Sequence, residues 1–146
     1  MNERRWSLAR LEKIGPLGLA SDPAYWRRWA RDPRYGRRWR SIRHHFGITG
    51  FGVNANEAAA GEELVVPHDE VEFGGQEELY LVHRGTIEFR FGEGDEEQYH
   101  ELGPGGLARV DAPTVRSLRN TSESDDAVYL CVGGEGGYVG RDGQVP

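Results

Sequence analysis

Single glycines and prolines cut this chain into short runs, and within many runs apolar residues alternate with polar ones. Thr86-Ile87-Glu88-Phe89-Arg90-Phe91 ends at Gly92-Glu93-Gly94-Asp95-Glu96, Glu97 to Leu102 ends at Gly103-Pro104-Gly105-Gly106, and Thr114 to Asn120 follows Asp111-Ala112-Pro113. A period of two is that of a half-buried strand, and closely spaced turn signals join such strands into hairpins. The 21 glycines and seven prolines are spread along the chain and form no low-complexity tract. The pattern predicts an all-β barrel or sandwich.

At 146 residues the chain has the length of one domain, able to bury roughly 68–70% of its unfolded surface. The lone Cys131 rules out an internal disulfide, no apolar run reaches the length of a membrane span, and no export signal opens the chain. The expectation is a soluble cytoplasmic protein.

The net charge of −6 hides a division. Residues 1–43 carry twelve of the 18 basic residues and only four acids, so the remainder is strongly acidic. Within this arm the pattern DPxYxRRW occurs twice, at Asp22 to Trp29 and at Asp32 to Trp39. Asp followed by Pro starts helices, because Asp caps free amides and Pro fits the first helical position. Tyr25 with Trp29, and Tyr35 with Trp39, then share a helical face. Two short helices are expected. Arginine with aromatics also suits a nucleic-acid surface, but an acidic protein repels polyanions. The favoured reading packs the arm on the body or on a partner subunit, with nucleic acid as the weaker alternative.

The opening Trp6 to Ile14 fits neither the helical nor the strand period. Ser41 to Phe46 and Gly47 to Ala55 read as two strand-like pieces, with Asn56 to Gly61 a loop. On a strand His44 and His45 would face opposite ways and not share a metal. Ala127-Val128-Tyr129-Leu130-Cys131-Val132 reads as a strand buried on both faces, and a glycine-rich tail follows from residue 134.

Chemistry concentrates between Pro67 and Gly85, PHDEVEFGGQEELYLVHRG. His68 and Glu70 are two apart, so an extended segment points both the same way. Gly74-Gly75 makes a turn, and Glu77 to His83 is a strand by composition. If Glu78 faces inward, Tyr80 and Val82 do too, while Glu77, Leu79 and Leu81 face out and need cover from the arm or from a second subunit. That supports a homodimer.

Two blocks resemble the motifs of the cupin superfamily. Gly61, His68-Asp69-Glu70 and Glu78-x6-Gly85 resemble the first, G-x5-HxH-x3,4-E-x6-G. Gly103 through Pro113, with Arg116-x3-Asn120, resembles the second, G-x5-PxG-x2-H-x3-N. The likeness covers roughly residues 45 to 133 and implies a single double-stranded β-helix, or jelly-roll barrel, over residues 44–133, with a helical Arg/Trp-rich arm over 1–43 and a tail over 134–146. Within the superfamily the pieces look most like small bacterial cupin-like proteins without an assigned reaction.

In metal-dependent cupins three histidines and a glutamate hold a divalent ion. Here His68 and Glu78 match ligand positions, Glu70 stands in for the second histidine, and Arg116 replaces the third. The span from Glu70 to Glu78 is longer than the motif, and an ungapped count back from Glu78 would put Val71 and Phe73 at the histidine positions. A guanidinium offers no lone pair and repels a cation. The first reading is therefore a small-molecule-binding barrel with no cofactor, its ligand, an anion, held by His68, Glu70, Glu78, Tyr80 and Arg116. The alternative is an oxygenase or isomerase with a divalent metal on His68, Glu70 and Glu78 and Tyr80 as acid or base. Neither GxSxG nor GxxxxGK[ST] occurs, so serine hydrolase and phosphate-loop chemistry have no support.

Overall fold

The computed structural model describes residues 5–14 and 40–136. Eight strands make up most of it: β1 Gly52–Ala58, β2 Glu63–His68, β3 Glu77–Arg84, β4 Ile87–Phe91, β5 Gln98–Leu102, β6 Leu107–Val110, β7 Arg116–Asn120 and β8 Ala127–Gly134. They form two four-stranded antiparallel sheets, ordered β1-β8-β3-β6 and β2-β7-β4-β5. Consecutive strands lie in opposite sheets except β4 and β5, which pair directly, and this is the jelly-roll arrangement. Both repeats of DPxYxRRW, and the tail beyond residue 136, lie outside the described residues.

The inner faces meet in one core. Leu64, Val82, Ile87, Phe89 and Leu118 are almost wholly buried and pack in a single cluster with Tyr80, Tyr129 and Cys131. Each large side chain so buried stabilises the fold by about 1.5–3 kcal/mol. The Tyr80 ring meets Phe89 edge-on at 5.8 Å and Tyr129 at 5.5 Å, so aromatics fill the middle of the barrel.

Several expectations are corrected. Ile42–Phe46 is a helix (α1), with the Ser41 hydroxyl accepting the amide of His44; a serine cap outweighs the strand-like side chains that follow it. The helix straddles the expected arm boundary at residue 43, and Arg40 already pairs with Ala55 beside β1. β1 runs on to Ala58 where a loop was expected, because it stays paired with β8 as far as Ala127; the buried Asn56 amide bonds the Leu64 carbonyl in the opposite sheet at 2.5 Å. Leu11–Lys13 is a 3-10 turn. β8 is not buried on both faces: Ala127, Tyr129 and Cys131 point inward, but Val132 is 39% exposed on the outer face. No helix among the described residues is long and apolar enough to cross a membrane.

Candidate functional site

Strand alternation and one irregularity bring the polar residues together. In β3, Glu78, Tyr80 and Val82 face inward and Glu77, Leu79 and Leu81 outward, as the spacing predicts. β2 does not alternate cleanly; its pairing with β7 shifts between Val65 and His68, and the shift sets His68 directly opposite Arg116. Bulges of this kind re-aim a side chain. After His68 the chain makes a 3-10 turn at Val71–Phe73, which takes up the residues that exceed the motif spacing. Val71 is 58% exposed there, so the ungapped alternative does not put it in the site.

His68 is the most accessible member of the group. Its Nδ1 lies 2.8 Å from the Val66 carbonyl and its Nε2 3.0 Å from Glu70 Oε1. A carbonyl only accepts, so Nδ1 carries a hydrogen; with Nε2 also turned to a carboxylate, the ring satisfies both partners as imidazolium. Burial opposes that charge, but the bonds to Glu70 and Val66 and the charge of Glu70 outweigh it, and the pKa is raised above the ordinary 6.5.

Arg116 opens β7 and is wholly buried. Its Nη2 donates to the Asp111 carbonyl at 2.9 Å. Its Nε stands 3.5 Å from Glu78 Oε2, close enough for ionic attraction but without hydrogen-bond geometry, and both Nε and Nη1 lack a hydrogen-bond partner. The same Glu78 oxygen accepts the Tyr80 hydroxyl. Burial foremost, then the neighbouring Cys131 and Glu78, push the Tyr80 pKa well up, so the phenol is a neutral donor.

No family model matches this sequence, and no curated protein does. Solved structures do. A cupin protein from Bacteroides fragilis superimposes with a TM-score of 0.58 at 23% identity, over 74% of this chain and 88% of that one. The chain has the fold of that cupin protein. A sugar phosphate isomerase of a cupin superfamily from Silicibacter pomeroyi gives 0.54 at 22% identity, over 67% of this chain and 59% of that one. An uncharacterised protein with a double-stranded β-helix domain from Klebsiella pneumoniae gives 0.51 at 18%, over 60% and 69%. At these identities the likeness is one of fold.

In this cupin-like barrel the five residues expected from the sequence all lie in one cluster, drawn from β2, β3, β7 and the turn after β2. His68, Glu70 and Glu78 side chains are 23%, 11% and 14% exposed while Arg116 is at 0%, so the cluster grades from solvent to a buried cation. His68, Glu70 and Glu78 each bring a donor atom within 4.8 Å of the others. In number and type the three donors fit a divalent ion. Such an ion would have to displace the proton on His68 Nε2 and tolerate a guanidinium on Glu78.

Sequence reasoning missed Cys131 and Gln76. Cys131 pairs with Tyr80 across the sheet and faces inward beside it; alternation counted through β8 from Tyr129 would have found it. A Cβ at Gly133 would stand 2.8 Å from Gln76 Oε1 and 3.6 Å from Glu78 Cγ, so that glycine leaves room for both side chains. Nothing in the local sequence marks Gln76.

Proposed function

We propose that this chain binds a small anion at the open end of its barrel, with Arg116 as the anchor. The observation that carries the reading is the buried guanidinium with Nε and Nη1 lacking hydrogen-bond partners. Buried donors are nearly always satisfied, and a charged one left bare is costly. An oxyanion meets this need. The carboxylates of Glu70 and Glu78 accept hydrogen bonds, so an anion that also bears hydroxyl groups matches both signs of the cluster. The Silicibacter neighbour is by its name an isomerase of sugar phosphates, an anionic class, on the same fold.

The test is a thermal-shift and calorimetric series with inorganic phosphate, acetate, lactate and citrate on the parent and on Arg116→Met. Binding to the folded state raises the melting temperature by mass action. At least one probe should stabilise the parent and leave the variant unmoved. Equal shifts in both, or none in the parent, would refute the reading.

A second reading rests on the three donors within 4.8 Å. His68, Glu70 and Glu78 would hold a divalent ion with coordination positions open to substrate, the arrangement of a metal-dependent oxygenase or isomerase. When bound, the ion would supply Lewis acidity. Tyr80 would keep its proton and hold Glu78 in place. Elemental analysis of protein purified without chelators decides: a stoichiometric transition metal, lost together in His68→Ala and Glu78→Ala, supports it, and traces alone remove it.

A further inference from the structure

The outer face of the β1-β8-β3-β6 sheet carries two rows that are apolar except for Arg109 at the end of one. By register, Val53, Val132, Leu79 and Arg109 form one, and Ala55, Leu130, Leu81 and Leu107 the next. Exposure climbs along each row away from β1. Val53 is 9%, Val132 39% and Leu79 43% exposed; Ala55 is 1%, Leu81 37% and Leu107 60%. The sheet is therefore covered at β1 and bare toward β6. A contiguous bare apolar patch on an otherwise polar surface is normally an interaction site.

Helix α1 packs on β1, and the residues that flank segment 15–39 adjoin the same strand. The Arg40 backbone pairs with Ala55 through bonds of 2.8 and 2.9 Å. Its Nη1 donates to the carbonyl of Ile14 at 2.6 Å, and Ile14 is itself buried. Ile14 and Arg40, the described residues that flank segment 15–39, thus lie together beside β1. The segment holds Tyr25, Trp26, Trp29, Tyr35 and Trp39 beside six arginines and two aspartates, on a chain of net charge −6.

We propose that residues 15–39 lie across Leu79, Leu81, Leu107 and Val132 of the same chain and complete the cover that Ile14 and Arg40 begin. The reach is sufficient. β6 lies three strand spacings from β1, roughly 14 Å at about 4.8 Å each, and a segment of this length spans that distance out and back even if helical. The chemistry matches as well: aromatics bury large apolar area, and long arginine stems suit an apolar surface while their heads stay in water.

In full-length Trp6→Phe protein, Trp26, Trp29 and Trp39 are the remaining tryptophans. Acrylamide quenching of their fluorescence, with the mass followed by sedimentation, reads their shielding. The tryptophans should be shielded at dilutions where the mass is that of one chain, and quenching should rise severalfold in Leu81→Lys/Leu107→Lys. Bare tryptophans in the parent, or equal shielding in parent and variant, would overturn the proposal. Shielding that appears only where the mass doubles would assign the face to a second copy and overturn it too. Should the lysine variant unfold, hydroxyl-radical labelling of Leu79, Leu81 and Leu107 in a Trp26→Ser/Trp29→Ser/Trp39→Ser chain takes its place; labelling should rise severalfold, and unchanged labelling refutes the contact.

Discussion

Arg116 reaches across the barrel from one sheet and lies with its Nε 3.5 Å from Oε2 of Glu78 in the other. The contact joins the sheets at the end where His68 and Glu70 approach solvent. The carboxylate has a better partner in the Tyr80 hydroxyl, and the guanidinium has its one hydrogen bond from Nη2 to Asp111. The pair therefore constrains Arg116 more by charge than by hydrogen bonding, with Nε and Nη1 left without acceptors.

Stability and binding should separate at this residue. Buried ion pairs are often matched or exceeded in stability by apolar residues of similar volume, and orphaned donors cost about 1–3 kcal/mol each. Arg116→Met/Glu78→Gln, which removes both charges of the pair and keeps an acceptor for Tyr80, should lie within about 1 kcal/mol of the parent or above it, while Arg116→Ala, which strands the Glu78 carboxylate and opens a cavity, should lose about 3 kcal/mol or more. Urea melts with an unchanged slope measure both. A loss in the double variant as large as in alanine would mean that the ion pair holds the sheets together.

Removing the Tyr80 hydroxyl acts on the other side of Glu78. Tyr80→Phe keeps the ring against Phe89 and Tyr129 and deletes the bond to Glu78 together with the hydroxyl's contact to the Cys131 thiol. A hydrogen bond to a charged group is worth about 1.5–3 kcal/mol, so a loss at the lower end is expected, because Glu78 keeps Arg116 nearby. The parent's Tyr80 should also resist ionisation in alkaline spectrophotometric titration, where exposed tyrosines respond first. A full complement of normally titrating tyrosines in folded protein would contradict its burial.

The His68–Glu70 pair makes stability depend on pH with a definite sign. The folded-state pKa is above the unfolded value near 6.5. The pair's stabilisation is thus complete below the unfolded value and fades as pH rises through the raised one. The parent should lose melting temperature relative to His68→Gln as pH climbs above 6.5, and the two curves should run parallel at higher pH once the imidazole is neutral. A gap that widens toward alkaline pH would reverse the sign and exclude the pair.

How much of this was legible in the sequence follows from the range of each signal. β3 and β4 are plain because alternation is local and their turn, Gly85, is unambiguous. The inward aim of Glu78, Tyr80 and Arg116 follows from the same period. Helix α1 was obscured because its five residues include an adjacent histidine pair and an isoleucine, and one serine cap decided the outcome. Asn56 resembled a turn residue, yet its amide serves the opposite strand, a contact that no local pattern carries. The meeting of His68 with Arg116 depends on a register shift in β2, which hydrophobic spacing alone does not reveal.

Cys131 should be chemically silent in the folded protein. It is 4% exposed, and burial first, then Glu78, drive its thiol pKa well up. Thiolate is the reactive form. A disulfide reagent should therefore modify it only at the rate of unfolding, and the modification rate should track denaturant concentration. Fast stoichiometric reaction in native conditions would show that the wall beside Tyr80 opens more readily than its packing implies.

The β3–β4 turn separates backbone strain from steric collision. Gly85 has φ +79°, and a Cβ there would fall 2.7 Å from the Asp126 carbonyl oxygen and 2.8 Å from Ala127 Cα, both backbone atoms at the start of β8. Gly105 has a similar φ of +85° with nothing within 4 Å. Alanine in a left-handed conformation costs about 1–2 kcal/mol, and that is the whole expected loss for Gly105→Ala. Gly85→Ala must add the displacement of the β8 backbone, for a total of about 3 kcal/mol or more, because tightly packed interiors yield little to overpacking. Parallel urea melts of the two variants check the difference. If both lose the same amount, β8 gives way freely at Ala127, and the close approach of the β3–β4 turn to it does not position the barrel.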